Sequence, residues 1–128
     1  ENERFDVVFC NHVMEHVDDP KQCMSELFRV LKPGGWAIMQ VPQDFNREHT
    51  YEDPSITSPA EREKHFWQKD HVRLFGQDYP QWLEKAGFKV TEFNLHNHFS
   101  NEEIETFSIL ADQVPGYRPP AHYADLDF

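Results

Sequence analysis

Apolar positions along the chain change rhythm from segment to segment. Phe5-Asp6-Val7-Val8-Phe9-Cys10 is a nearly continuous apolar run with β-branched and aromatic members, the pattern of a central strand buried on both faces of a parallel sheet. Behind Asp19-Pro20, a side-chain cap followed by a residue pre-set for a first turn, Met24, Leu27, Phe28 and Leu31 recur at helical spacing. Lys32-Pro33-Gly34-Gly35 stops that helix, because proline cannot continue it and glycine accepts a left-handed exit. Trp36 to Val41 then reads as a second strand. Strand, helix, glycine turn and strand make a βαβ unit, whose crossover is almost always right-handed.

The rhythm is lost between Pro42 and Asp70, a polar stretch containing proline, although Ser58-Pro59-Ala60-Glu61 is a capping-box signature for a short helix reaching Trp67. Residues 43–70 are therefore expected to form a lid-like insertion. Tyr79, Trp82, Leu83 and Ala86 restore helical spacing, and Gly87 follows as a natural exit. A third strand is expected over Phe88 to Leu95. Asn101 to Phe107 suits a short helix and Phe107 to Ala111 is a brief apolar run that either supplies a last strand or leaves the sheet incomplete, while the proline-containing residues 113–128 read as an irregular tail.

Composition narrows the function. With a net charge of -11 and only 12 Lys and Arg, the chain lacks the cationic surface that displaces counterions from a phosphate backbone, so no nucleic-acid partner is expected. No apolar run reaches bilayer length and Glu1-Asn2-Glu3-Arg4 carries no signal pattern, so a cytoplasmic protein with no membrane partner is expected. Cys10 and Cys23 fall in a strand and a helix pattern and read as two buried thiols.

The densest group of ligand-type side chains is His12-x-x-Glu15-His16. On one helical turn these three share a face, and with His71 they can hold a divalent metal. The competing reading makes Glu15 and His16 a structural or cofactor-proximal pair to which His71 is hydrogen-bonded. Arg73 is expected in a solvated ion pair, or else facing an acidic acceptor group.

Phe5-Asp6-Val7-Val8, His12-Val13-Met14-Glu15-His16-Val17, Leu31-Lys32-Pro33-Gly34-Gly35, Asp70-His71-Val72-Arg73-Leu74-Phe75 and Glu84-Lys85-Ala86-Gly87-Phe88, taken in order, resemble the region from the fourth strand onward of class I S-adenosylmethionine-dependent methyltransferases. The resemblance implies an α/β fold, here a partial Rossmann-like sheet flanked by helices. It also implies S-adenosylmethionine as cofactor, lying across the carboxyl ends of the strands at the topological switch point. Cys10, Asn11 and His12 would then line the cofactor. His12, His16 and His71 are candidate bases, with His16 and His71 the catalytic pair. The His12, Glu15, His16, His71 group is similar to the Glu-x-x-Glu-His turn and later His with which methyltransferases of the ubiquinone-biosynthesis and small-RNA-tail kinds hold a metal. Here His12 replaces the first Glu, which makes the site softer and favours zinc or manganese.

The departures are as informative. The family's early strand, its Gly-rich turn and the acidic residue for the ribose have no counterpart, and Gly34-Gly35 stands in the reverse context, helix before strand. Residues 1–112 are thus expected to be the carboxyl-terminal part of a methyltransferase domain, inactive alone and acting with the rest on a small-molecule acceptor. The open sheet edge beside Phe5 to Cys10 is expected to pair with a second copy as a homodimer. Two rivals come from other classes. One is a non-catalytic α/β interaction module. The other is a zinc hydrolase of the H-x-x-E-H kind, which needs that motif inside a long helix.

Overall fold

The computed structural model describes residues 2–93 and 98–106, in two compact units divided after Val90. The first unit opens with the expected βαβ order: β1 (Phe5–Asn11), α1 (Pro20–Val30) and β2 (Leu31–Gln40). Asp19 caps α1 through its carboxylate, which accepts from the Gln22 amide at 2.9 Å, and Pro20 supplies the first turn. The two strands pair in parallel, from Val7 opposite Trp36 to Asn11 opposite Gln40.

The glycine turn lies inside β2. Phe5 pairs with Leu31 and Val7 with Trp36, so residues 32–35 bulge opposite Asp6. Gly34 adopts φ 80°, and a Cβ on Gly35 would lie 2.8 Å from the Asp6 carbonyl oxygen, so both positions require glycine.

One face of the strand pair is packed. Val8, Cys10 and Met39 meet Met24 and Leu27 of α1 and Tyr79 and Leu83 of α3 (Tyr79–Ala86), with Met14 and Phe75 fully buried among them. Full burial of Met14, Met24 and Phe75 contributes roughly 1.5–3 kcal/mol each. The other face differs from the expectation of a strand buried on both sides: Phe5, Phe9 (66% exposed), Trp36 and Ile38 face solvent. No described element lies over them, and β1 has no strand partner besides β2 among the described residues.

Residues 42–70 are better ordered than their composition suggests. A two-residue strand β3 (Tyr51–Glu52) pairs antiparallel with β4 (Arg73–Leu74), and Gln43 bridges to Phe75. Between them α2 (Pro59–Phe66) starts at Ser58, whose hydroxyl accepts from the Glu61 amide, as the capping signature predicts. Ile56, Phe66 and Leu74 form a second small core with Tyr51 and Trp67 packed against it.

The strand expected over Phe88 to Leu95 is absent from the described part, residues 88–93. Phe88 and Val90 pack on the main core and Lys89 is exposed, an alternation that an extended segment satisfies without a ladder. In the second unit α4 (Asn101–Thr106) matches the expected short helix. The brief apolar run at 107–111 and the tail expected at 113–128 lie outside the described residues. No helix among the described residues is long and apolar enough to cross a membrane.

Candidate cofactor and metal site

At the carboxyl end of β1 the chain turns at once. His12 still donates its amide to the Gln40 carbonyl at 2.8 Å but adopts φ 54°, and the next residues close a single turn through the His16 amide and the Val13 carbonyl. Met14, wholly buried, pins this turn to the core, and the Val72 amide donates to the Glu15 carbonyl at 2.9 Å. The His-x-x-Glu-His segment is therefore one turn between a strand and the cap of α1, not the long helix that a zinc hydrolase needs.

Glu15 is 1% exposed, and neither carboxylate oxygen has a hydrogen-bond partner among the described residues. His12 Nδ1 at 3.4 Å and His16 Nε2 at 3.8 Å approach Oε1 as ion-pair contacts, too loose to satisfy it. Buried carboxylates are normally paired, so Glu15 is a group that could take a cation as its partner.

His71 meets it from the segment following α2. Its Nδ1 lies 2.8 Å from the Phe66 carbonyl oxygen, which can only accept. The proton therefore sits on Nδ1, and Nε2 keeps its lone pair. Burial pushes the His71 pKa down, against the opposing pull of the Phe66 carbonyl and Glu15, which favours the neutral ring a metal requires. His16 is arranged alike, with Nδ1 3.3 Å from both the carbonyl and a carboxylate oxygen of Asp70. The two rings meet edge to face at 4.7 Å between centroids.

Glu15, His16 and His71 each offer one donor atom, all within 4.8 Å of one another. One carboxylate oxygen and two imidazole nitrogens suit a zinc-like or manganese ion with positions left open. His12 lies outside this trio and touches it through Glu15 from the solvent side. Of the residues expected to line a cofactor, Asn11 and His12 are exposed at the strand end, whereas the Cys10 side chain is buried in the core. Burial, with Cys23 and Glu15 adding, pushes the Cys10 thiol up to about 11, so what Cys10 can offer a cofactor is its backbone. Both cysteines are free, Cys23 only partly buried.

Arg73 corrects the sequence reading. It is neither solvated nor open to an acceptor: at 2% exposure its guanidinium donates to the carbonyls of Met14, Val17 and Asp18, and its Nε to Glu52 at 2.6 Å. The sequence reading also missed the Phe66 carbonyl and Asp70 as partners of the two histidines. For Asp70, its place beside His71 just past the capped helix was the available signal, and the Phe66 carbonyl had none.

Chemistry gathered at the carboxyl end of a parallel strand, over a βαβ unit, defines an α/β protein of the kind that binds its ligand at strand ends. The family model described as a methyltransferase domain matches residues 1–93, and the chain belongs to that family, the class I S-adenosylmethionine-dependent methyltransferases. Shorter stretches are similar to ubiquinone biosynthesis O-methyltransferases. That of Thiobacillus denitrificans is 50% identical over 34 residues, covering 27% of this chain and 15% of the relative. That of Pseudomonas fluorescens strain SBW25 is 52% identical over 33 residues, 26% and 14% of the two chains. That of Leptothrix cholodnii is 42% identical over 36 residues, 28% and 15%. The matched stretches thus span about one seventh of these relatives. No solved structure matches.

Proposed function

We propose that this chain forms the part of a methyltransferase domain from the fourth strand onward, and that with the remainder of such a domain it transfers the methyl group of S-adenosylmethionine to a small-molecule acceptor. The observation that carries this reading is the immediate left-handed turn at His12, which brings the exposed Asn11 and His12 to a strand end beside a buried, unsatisfied Glu15. The relatives' printed name points to an oxygen acceptor.

Asn11, His12 and the Cys10 backbone would hold the cofactor. Glu15, His16 and His71, with His12 on the solvent side, would hold a zinc or manganese ion, which when bound lowers the pKa of an acceptor hydroxyl. The rest falls to the chain itself. The Phe66 carbonyl keeps the His71 proton on Nδ1, and Asp70 orients His16, so that both rings would be fixed in orientation beside Glu15. The sulfonium methyl is already electrophilic, so alignment supplies much of the rate. Residues 43–70 would cover the acceptor.

A second copy is the expected macromolecular partner. The open β1 edge and the exposed Phe5, Phe9, Trp36 and Ile38 form an apolar surface on the order of a few hundred Å², the scale at which patches mark association. Sedimentation should show a concentration-dependent dimer, and a monomer up to high concentration would refute it.

The deciding experiment is calorimetric titration of S-adenosylhomocysteine, a stable cofactor analogue, into the 128-residue chain and into the chain extended by whatever its gene encodes before Glu1. Saturable one-to-one binding by the extended protein, weakened by Asn11→Ala, supports the reading. No binding by either protein overturns it in favour of a non-catalytic module.

A further inference from the structure

The turn that carries Glu15 and His16 is held from outside its own stretch of chain. Its Met14, Val17 and Asp18 carbonyls all accept from one guanidinium, that of Arg73, while the neighbouring Val72 amide takes the Glu15 carbonyl. Arg73 is itself buried, and its charge is met by Glu52, which stands directly opposite it in the β3–β4 pair and is 40% exposed. Glu52 belongs to the polar connection between β2 and α2. The chain of contacts thus runs from that half-exposed carboxylate, through a buried cation, to the backbone on either side of the candidate ligands. A buried cation that loses its counterion is costly, and a guanidinium drawn away from a three-carbonyl nest releases the turn it holds.

We propose that Arg73 is the positioning residue of this site and that Glu52 sets its position, coupling the 42–70 connection to the placement of Glu15 and His16. The inference rests on the reading of Glu15, His16 and His71 as a metal site for its effect on affinity, but not for its effect on the turn. Outer-shell partners of metal ligands typically change affinity 10–100-fold. Lysine at 73 keeps the charge but cannot span three carbonyls and a carboxylate, so Arg73→Lys separates fork geometry from charge.

The test uses the full chain and its Glu52→Gln and Arg73→Lys variants, with cobalt(II) as a spectroscopic probe ion. In each variant that unfolds cooperatively, cobalt affinity is expected to fall at least about tenfold and the visible bands to shift. The imidazole resonances of His16 and His71 should move without metal, while those of the exposed His49 stay fixed. Wild-type affinity, bands and imidazole shifts in a folded Glu52→Gln protein would overturn the proposal. Should Arg73→Lys fail to fold, Glu52→Gln alone decides. Should the wild type bind no cobalt, the metal reading falls, and the metal-free imidazole shifts still judge the positioning role.

Discussion

Replacing Glu15 with Gln should stabilise the metal-free protein and weaken its response to zinc. The carboxylate is 1% exposed and neither oxygen is hydrogen-bonded among the described residues, where the nearest cationic candidates are His12 at 3.4 Å and His16 at 3.8 Å. An unpaired buried charge costs several kcal/mol after relaxation, and a neutral amide left unsatisfied in the same place roughly 1–3 kcal/mol. Allowing for partial compensation by the two imidazoles, Glu15→Gln should gain about 2 kcal/mol in chelator. Zinc at about 1,000 times its dissociation constant stabilises a folded protein by about 4 kcal/mol, and a hundredfold loss of affinity removes about 2.7 kcal/mol of that. The variant should therefore be the more stable protein in chelator and the less stable one, by under about 1 kcal/mol, in saturating zinc. Urea unfolding followed by tryptophan fluorescence, in EDTA and in zinc, measures both differences. A variant that is destabilised in EDTA, or that gains as much from zinc as the wild type, refutes the reasoning.

Gly87→Ala should cost about 2 kcal/mol or more in urea unfolding: φ is 112° and the new Cβ would lie 2.7 Å from the Phe28 ring, itself held edge-on by Phe88. Met14→Ala, emptying a wholly buried position under the site turn, should cost about 2–5 kcal/mol in the same assay and also reduce the zinc gain. Burial works against ionisation of Asp78, but hydrogen bonds from the Thr50 amide and hydroxyl and the Trp82 indole prevail and hold its pKa below the usual carboxylate value. Its contribution is therefore complete above the unfolded-state value of about 3.9 and lost as pH falls through the lower folded-state value. Asp78→Asn should cost about 1–3 kcal/mol at neutral pH, with the gap to wild type closing below pH ~4 in pH-dependent urea unfolding.

What the sequence revealed was what local chemistry dictates. Asp19-Pro20, Ser58-Pro59 and Gly87 mark helix ends through interactions within a few residues, and α1 and α2 begin and α3 ends where those signals stand, whereas α1 stops at Val30 and the expected stop at residues 32–35, with Leu31, belongs to β2. The β1 run was legible as a strand, yet its apolar character overstated its burial here, because periodicity reports which surfaces want cover and not whether these residues provide it. Phe88 to Val90 erred in the same direction, since alternation specifies two faces but not a ladder partner. Within the site, His12, Glu15 and His16 could be grouped because they share one turn, and His71 was added to them as a further ligand-type side chain. The Phe66 carbonyl and the Arg73 nest could not be read, because backbone acceptors have no letter and a buried arginine is spelled like a solvated one. The small β3–β4 pair was hidden for a related reason: two residues are too few to show a period.

His12 carries a conformational cost at the end of β1. At φ 54° a side chain costs roughly 1 kcal/mol that glycine would not, although histidine is among the residues that tolerate the conformation better than most. A selection for heat tolerance alone would be drawn to glycine at that kink, and the resulting protein would keep its bend while losing the imidazole that faces Glu15. At this position the gain in robustness and the loss of the contact to Glu15 come together.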